Sequence, residues 1–156
     1  MVHPNKPKRI FFDTNVFIIG FQIPESPESI IINWASTKNV EPEVEIIVSS
    51  ALINEIRRVA RRIKGKDWAG EILSRIWHNM NLRFVLVDPT EAARLEREKI
   101  IPREDIQVYL TAKEGRAECF ISANRELVRV LAKEENAFQC LTAVEFIDQY
   151  LTPPSF

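Results

Sequence analysis

The sequence predicts an α/β fold in three layers, with helices on both faces of a five-stranded parallel sheet. Three observations carry that expectation. Five short apolar runs alternate with stretches of helical periodicity along the chain. Those runs are continuously apolar rather than alternating, which is how a strand buried on both faces reads. The length of 156 residues, with 46% hydrophobic and 28% charged, suits a single domain over 1–156 with one sizeable core.

The first strand is Ile10-Phe11-Phe12, β-branched and aromatic residues that suit an enclosed pleated site. Asp13 closes it. Val16 to Ile23 is apolar and stops at Pro24. Pro24 and Pro27 mark a loop, and Ser26 or Ser29 caps a helix carrying Ile30, Ile31, Trp34 and Ala35 to about Lys38. Asn39 to Glu43 is a connection, and Glu45 to Ser49 a second strand. Ser49 and Ser50 offer an N-cap for a long helix in which Leu52, Ile56, Val59 and Ile63 form one apolar stripe. Gly65 ends it. Asp67 to Asn79 is a further helix with Trp68, Ile72, Ile76 and Met80 inward. Arg83 to Val87 is the third strand, closed by Asp88-Pro89. Thr90 and Glu91 open a helix carrying Ala92, Ala93 and Leu95. Pro102 suits the first turn of the next, which holds Asp105, Ile106, Tyr109, Leu110 and Ala112 and stops at Gly115. Glu118 to Ser122 is the fourth strand, Asn124 to Glu135 a helix, Phe138 to Leu141 the fifth strand and Ala143 to Tyr150 the last helix. Crossovers between parallel strands are expected to be right-handed.

Composition narrows the function. The formal net charge is -1, so a nucleic-acid partner would be met by a local basic patch rather than a global field. Cys119 and Cys140 lack a short paired spacing and read as free, buried thiols in a reducing compartment, not as a disulfide framework or zinc motif. No apolar run reaches the roughly 18 residues of a membrane span. Met1 to Arg9 is polar and contains proline, without an apolar signal-peptide core, so the expected location is cytoplasmic.

Four residues stand at comparable places. Asp13 closes the first strand, Glu55 lies near the start of the helix after the second, Asp105 lies in the first turn of a helix, and Asn124 follows the fourth strand. In an open α/β sheet the carboxyl ends of strands are where ligands sit. Singly, each has a local reading: Asp13-Thr14-Asn15 as a turn, Asp105 favouring a helix dipole, Glu55 paired with Arg58, Asn124 as an N-cap. Together, three carboxylates at one edge would oppose one another's ionisation. A hard divalent cation resolves that conflict; Mg2+ fits, because it keeps several waters and needs one or two carboxylates, and Mn2+ fits too.

At these residues the sequence resembles the PIN domain family. Ile10-Phe11-Phe12-Asp13-Thr14-Asn15-Val16-Phe17 looks like its opening, and Val48-Ser49-Ser50-Ala51-Leu52-Ile53-Asn54-Glu55-Ile56 like its middle. Ile101-Pro102-Arg103-Glu104-Asp105-Ile106, through Ala112-Lys113 to Cys119-Phe120-Ile121-Ser122-Ala123-Asn124-Arg125-Glu126-Leu127, is the third match. Leu141 to Ile147 resembles the closing strand and helix. The matches run in order over nearly the whole chain, though no one motif is specific. The resemblance implies strand order 3-2-1-4-5, a metal-dependent ribonuclease site at the carboxyl edge, and a common role as the VapC-like toxin of a toxin–antitoxin pair. It implies an RNA substrate, an antitoxin protein as partner, and a homodimer, as many relatives form. By position, Asp13, Glu55 and Asp105 are the acidic metal ligands, and Thr14, Asn15 and Ser122 are supporting polar residues. Asn124 stands where many members have a fourth aspartate; some toxin-type members also carry asparagine there. The change removes one charge and weakens the case for a second metal ion, for which Glu126, two residues on, is a substitute. The chemistry implied is phosphodiester hydrolysis by a metal-activated water.

Arg57, Arg58, Arg61, Arg62, Lys64 and Lys66 gather six of the 21 basic residues in one stretch. They read either as a solvated helix face or as a phosphate-binding flank for RNA, giving affinity without sequence choice. Arg58 and Arg62 share the flank of Glu55; Arg57 and Arg61 lie on the other.

Rival chemistries fit less well. A receiver domain needs an acidic pair after the first strand, and a phosphatase of the haloacid dehalogenase type needs Asp-x-Asp; Thr14 and Asn15 break both. No glycine-rich phosphate loop is present. The serious alternative is a catalytically weak module of the same fold that binds RNA or a protein partner.

Overall fold

Strand β1 is Arg9–Phe12, β2 Glu45–Val48, β3 Asn81–Phe84, β4 Cys119–Ile121 and β5 Gln139–Leu141. They form one all-parallel sheet in the order β3-β2-β1-β4-β5 in the computed structural model of the chain, which describes residues 6–36, 44–134 and 137–152. The central strand is β1: Ile10 lies opposite both Ile46 and Cys119, and Phe12 opposite Ile121. Ile10, Phe11 and Phe12 are all fully buried, as helices on both faces require. Phe11 stacks on Phe120 at 5.0 Å between ring centroids, and Phe120 on Phe138 at 5.8 Å.

The helices are α1 Thr14–Gln22, α2 Pro27–Ala35, α3 Ser50–Lys64, α4 Lys66–Asn79, α5 Pro89–Glu98, α6 Ile106–Glu114, α7 Arg125–Glu134 and α8 Ala143–Phe146. A 3-10 turn, Arg103–Asp105, leads into α6. The expected layering and parallel sheet are present. The caps read from the sequence hold: the Ser26 hydroxyl accepts from Ser29 N, and the Ser49 hydroxyl from Leu52 N.

Several details differ from the sequence reading. The apolar run after Asp13 is a helix, α1, which begins at Thr14 directly after the strand. It is apolar almost all round because it packs against both α2 and α3. Gly20 permits the first contact: a Cβ there would lie 2.9 Å from the Ile32 side chain and 3.1 Å from Glu28 O. On α3 the buried stripe is Leu52, Ile56 and Ala60, while Val59 is half-buried and Ile63 is exposed. At 3.6 residues per turn Ile63 keeps the direction of that stripe, so its exposure follows from its place in the last turn of α3 rather than from its spacing. Gly65, at φ 90°, makes the joint that sends α4 back along α3, a conformation that disfavours any Cβ.

Strand β3 begins at Asn81, two residues earlier than expected, because its register is set by the four residues of β2, with Val48 opposite Phe84. Beyond Phe84 one further bond, Val85 N to Val48 O at 2.9 Å, ends the pairing. The last helix is shorter than expected as an α-helix and continues as a π-helical turn, Ile147–Leu151. The expected connection Asn39–Glu43, and the helix ends at Lys38 and Glu135, lie outside the described residues. Cys119 and Cys140 are buried thiols not joined in a disulfide; burial pushes the Cys119 thiol up to about 12. Among the described residues no helix is long and apolar enough to cross a membrane.

Candidate metal centre

The site begins where β1 ends. Asp13 is 7% exposed and caps α1: its Oδ1 accepts from Thr14 N at 2.8 Å. Its Oδ2 accepts from the Ser122 hydroxyl at 2.8 Å. Ser122, fully buried just past β4, is a hub. Its Oγ also accepts from Asn15 Nδ2 at 3.3 Å and from Asn124 N at 3.0 Å. Asn15 completes the network by accepting from Ala123 N at 2.9 Å. The ends of the two neighbouring strands are thereby locked together, and the Asp13 carboxylate is held in one orientation.

The other residues arrive from three further elements. Glu55 comes from the second turn of α3, Asp105 from the end of the 3-10 turn at the start of α6, and Asn124 from the start of α7. Asp13, Thr14, Asn15, Glu55, Asp105 and Asn124 line one cleft of about 280 Å³. Asn124 is also the cap of α7, accepting from Leu127 N at 3.1 Å. Larger hollows exist elsewhere on the protein, but the carboxylates are here.

The electrostatics fit carboxylates that share a space. Burial raises the Asp13 carboxyl above its ordinary value; the Ser122 and Thr14 hydrogen bonds oppose this, and Glu55 adds to it. Asp105 is pushed up to about 6, chiefly by burial and then by Asp13, Glu104 and Glu55. Among the described residues no lysine, arginine or histidine forms an ion pair with Asp13, Glu55 or Asp105. The Thr14 hydroxyl is buried without a hydrogen-bond partner. An uncompensated acidic cleft with an orphaned hydroxyl suits a hard cation and its water shell. Among the described residues no three acidic, histidine or thiol side chains stand close enough to enclose one ion.

Other residues singled out in the sequence lie elsewhere. Glu126 is exposed and pairs with Arg129 at 3.2 Å, outside the cleft lining, so it does not replace the missing aspartate. Arg57 and Arg61 face the groove between α3 and α4, on the opposite side from Glu55. Arg58 and Arg62 are exposed on α3. Sequence reasoning missed the apolar wall of the cleft, made by Ile18, Ile19 and Val59. The signal was present in the apolar run from Val16 to Ile23, once that run is recognised as a helix starting at Asp13.

The strand order, the three layers and the position of the cleft at the carboxyl edge define a PIN-like α/β/α fold. Solved structures share it. A chain of VapBC2 from Rickettsia felis, whose crystal structure is bound to a DNA fragment from their promoter, has a TM-score of 0.59 and is 14% identical. That match covers 86% of this chain and 98% of the other. A chain of VapBC-1 from nontypeable Haemophilus influenzae has a TM-score of 0.59 and is 12% identical, covering 87% and 98%. At such identity the likeness speaks for the fold. The sequence matches no protein-family model, and no curated protein matches it.

Proposed function

We propose that the protein is a metal-dependent endoribonuclease that hydrolyses RNA phosphodiester bonds with Mg2+ or Mn2+. The observation that carries this reading is the convergence of Asp13, Glu55 and Asp105 on one cleft with no protein cation among them. Asp13 and Asp105 would hold the ion, and Glu55 would ligate it or orient the attacking water. The ion, when bound, supplies Lewis-acid polarisation of the phosphoryl oxygen and a water of lowered pKa. The chain supplies the rest. Ser122 and Thr14 N fix the direction of the Asp13 carboxylate. Thr14 lines the cleft, and its buried hydroxyl has no hydrogen-bond partner in the protein. Ile18, Ile19 and Val59 lower the local dielectric, which strengthens every charge interaction beside them.

The likeness to chains of VapBC structures supports a narrower role, the toxin of a toxin–antitoxin pair with an antitoxin protein as partner; a homodimer as its own assembly rests on the family resemblance of the sequence alone. A small reading frame immediately upstream, coding for a DNA-binding protein, would agree with it. The test of the activity is cleavage of single-stranded RNA with Mg2+ or Mn2+, lost on chelation, restored by the metal and abolished in Asp13→Ala. The second reading, an RNA-binding module without cleavage, draws on Asn124, which leaves the cleft one carboxylate short. Metal-independent RNA binding with no cleavage decides for it.

A further inference from the structure

Two hollows lie on the other side of α3. One, of about 520 Å³, is lined by Ile53, Leu73, Trp77 and Phe84 among others. A second, of about 490 Å³, is lined by Arg57, Arg61, Lys66, Asp67 and Gly70 among others. Arg57 and Leu73 line both, so the two are one groove between α3 and α4, basic at one end and aromatic at the other.

Three features mark this groove as a site for a ligand. Trp77 is 62% exposed and Phe84 50%, an unusual exposure for large aromatic side chains on a small protein. Among the described residues Arg61 and Lys66 form no ion pair, and Asp67 is the one carboxylate in the lining. Arg57 is held in place by Asn54, whose Oδ1 accepts from Arg57 Nη1 at 2.9 Å. Gly70 lies in the interior of α4, where glycine is unfavourable relative to alanine. A Cβ there would meet nothing within 4 Å, so internal packing does not require the glycine. Its effect is to leave the floor of the basic end bare, where a ligand can approach the backbone closely.

We propose that the α3–α4 groove is a second surface for single-stranded RNA, with phosphates at Arg57, Arg61 and Lys66 and bases stacked on Trp77 and Phe84. A cationic track interleaved with aromatic faces is the chemistry of sequence-tolerant single-strand binding. Every nucleotide brings both an anion and a π-face, which is the pairing this groove offers. The groove meets the cleft across the first turns of α3, where Asn54 lines one and Glu55 the other. A strand cut at the cleft can therefore continue over α3 into the groove. This extension rests on the ribonuclease reading; the groove as an RNA surface does not.

The experiment uses the full chain with Asp13→Asn to prevent cleavage, and fluorescein-labelled oligouridines of 4 and 14 nucleotides. The longer strand should bind at least tenfold more tightly than the shorter. Arg61→Glu with Lys66→Glu, and separately Trp77→Ala, should each weaken the 14-mer by about fivefold or more. Both should leave the 4-mer within a factor of two. Gly70→Glu, which places a carboxylate in the hollow, should act like the charge reversals, and Gly70→Ala, which adds only a Cβ to the floor, should weaken the 14-mer less; far-UV circular dichroism of each variant reports folding. The 14-mer should quench tryptophan emission, and Trp77→Phe should remove most of that quench. Equal affinity of all variants for the 14-mer overturns the proposal. So does a change of sedimentation from dimer to monomer in Trp77→Ala with RNA affinity unchanged, which assigns the groove to protein contact. Absence of cleavage by the wild type, with these binding differences intact, defeats the ribonuclease reading and leaves the groove standing.

Discussion

The two sides of α3 carry opposite chemistry. On the side of Glu55, three carboxylates from three elements meet in a cleft whose described lining holds no cation. On the side of Arg57, cations and exposed aromatics line a groove with one carboxylate. The difference separates two tasks. On the proposed reading, the cleft of uncompensated carboxylates takes a metal ion, the group that would assist phosphodiester hydrolysis. A basic groove is complete only with a polyanion, and contributes affinity rather than rate. Substitutions on the two sides should accordingly split catalysis from binding.

The sharpest split is expected at Asp13. Asp13→Asn preserves shape and an acceptor for Thr14 N but removes the charge. Cleavage should fall about a thousandfold, roughly 4 kcal/mol of barrier, while affinity for a 14-mer changes by less than about threefold. Single-turnover rates and fluorescence anisotropy read the two effects. Wild-type cleavage by this variant would remove Asp13 from the mechanism altogether.

Ser122 comes next, because it tests whether the cleft depends on its support. Ser122→Ala removes one oxygen that serves Asp13, Asn15 and Asn124 N at once. Leaving those buried groups unpaired should cost about 1–3 kcal/mol of stability, measured by urea unfolding. Cleavage should fall by about 10–100-fold through loss of carboxylate orientation. A loss of stability with an unchanged rate would confine Ser122 to a structural role.

Asn124 probes the missing charge. Asn124→Asp keeps a side-chain oxygen able to cap α7, so the helix should tolerate it. An added carboxylate in the cleft should tighten Mn2+ binding by about tenfold in titration calorimetry. Unaltered Mn2+ affinity would place the ion away from the α7 side of the cleft.

Much of this arrangement was legible in the sequence because two periodicities do different work. Continuous apolar runs mark the five strands, and strand ends together with helix starts mark the carboxyl edge, so the pattern alone draws Asp13, Glu55 and Asp105 to one place. What was not legible depends on neighbours. Ile63 looks inward by spacing alone, yet it is 44% exposed in the last turn of α3. Val16 to Ile23 reads as a bare apolar run because α1 is enclosed by α2 and α3, which hides the polar face that would mark a helix. Glu126 lies close to Asn124 in sequence, but α7 turns it out toward Arg129. The α3–α4 groove was the least visible feature. It exists only because Gly65 folds α4 back onto the Arg57 side of α3.

The smallest effect tests the acidity of the cleft without any RNA. The folded protein holds Asp105 at about 6, above its ordinary 3.8. Its charged form is thus disfavoured by folding. The corresponding stability is complete below about pH 4, declines as pH rises, and is gone once pH exceeds about 6. Discounted for a half-exposed side chain, the loss is on the order of 1 kcal/mol. Asp13, also raised, acts in the same direction, whereas Glu91, lowered by Arg94, acts in the opposite one. The difference between wild type and Asp105→Asn isolates the Asp105 share. In chelator-containing buffer, the wild type should lose stability relative to Asp105→Asn between pH 4 and pH 6 and run parallel above. Millimolar Mg2+ at pH 7 should recover the loss in the wild type more than in the variant, because only deprotonated carboxylates hold the ion. A wild type that instead gains on the variant across that window would mean that Asp105 has a cationic partner in solution. The contrast between the two sides of α3 would then fail at its acidic end.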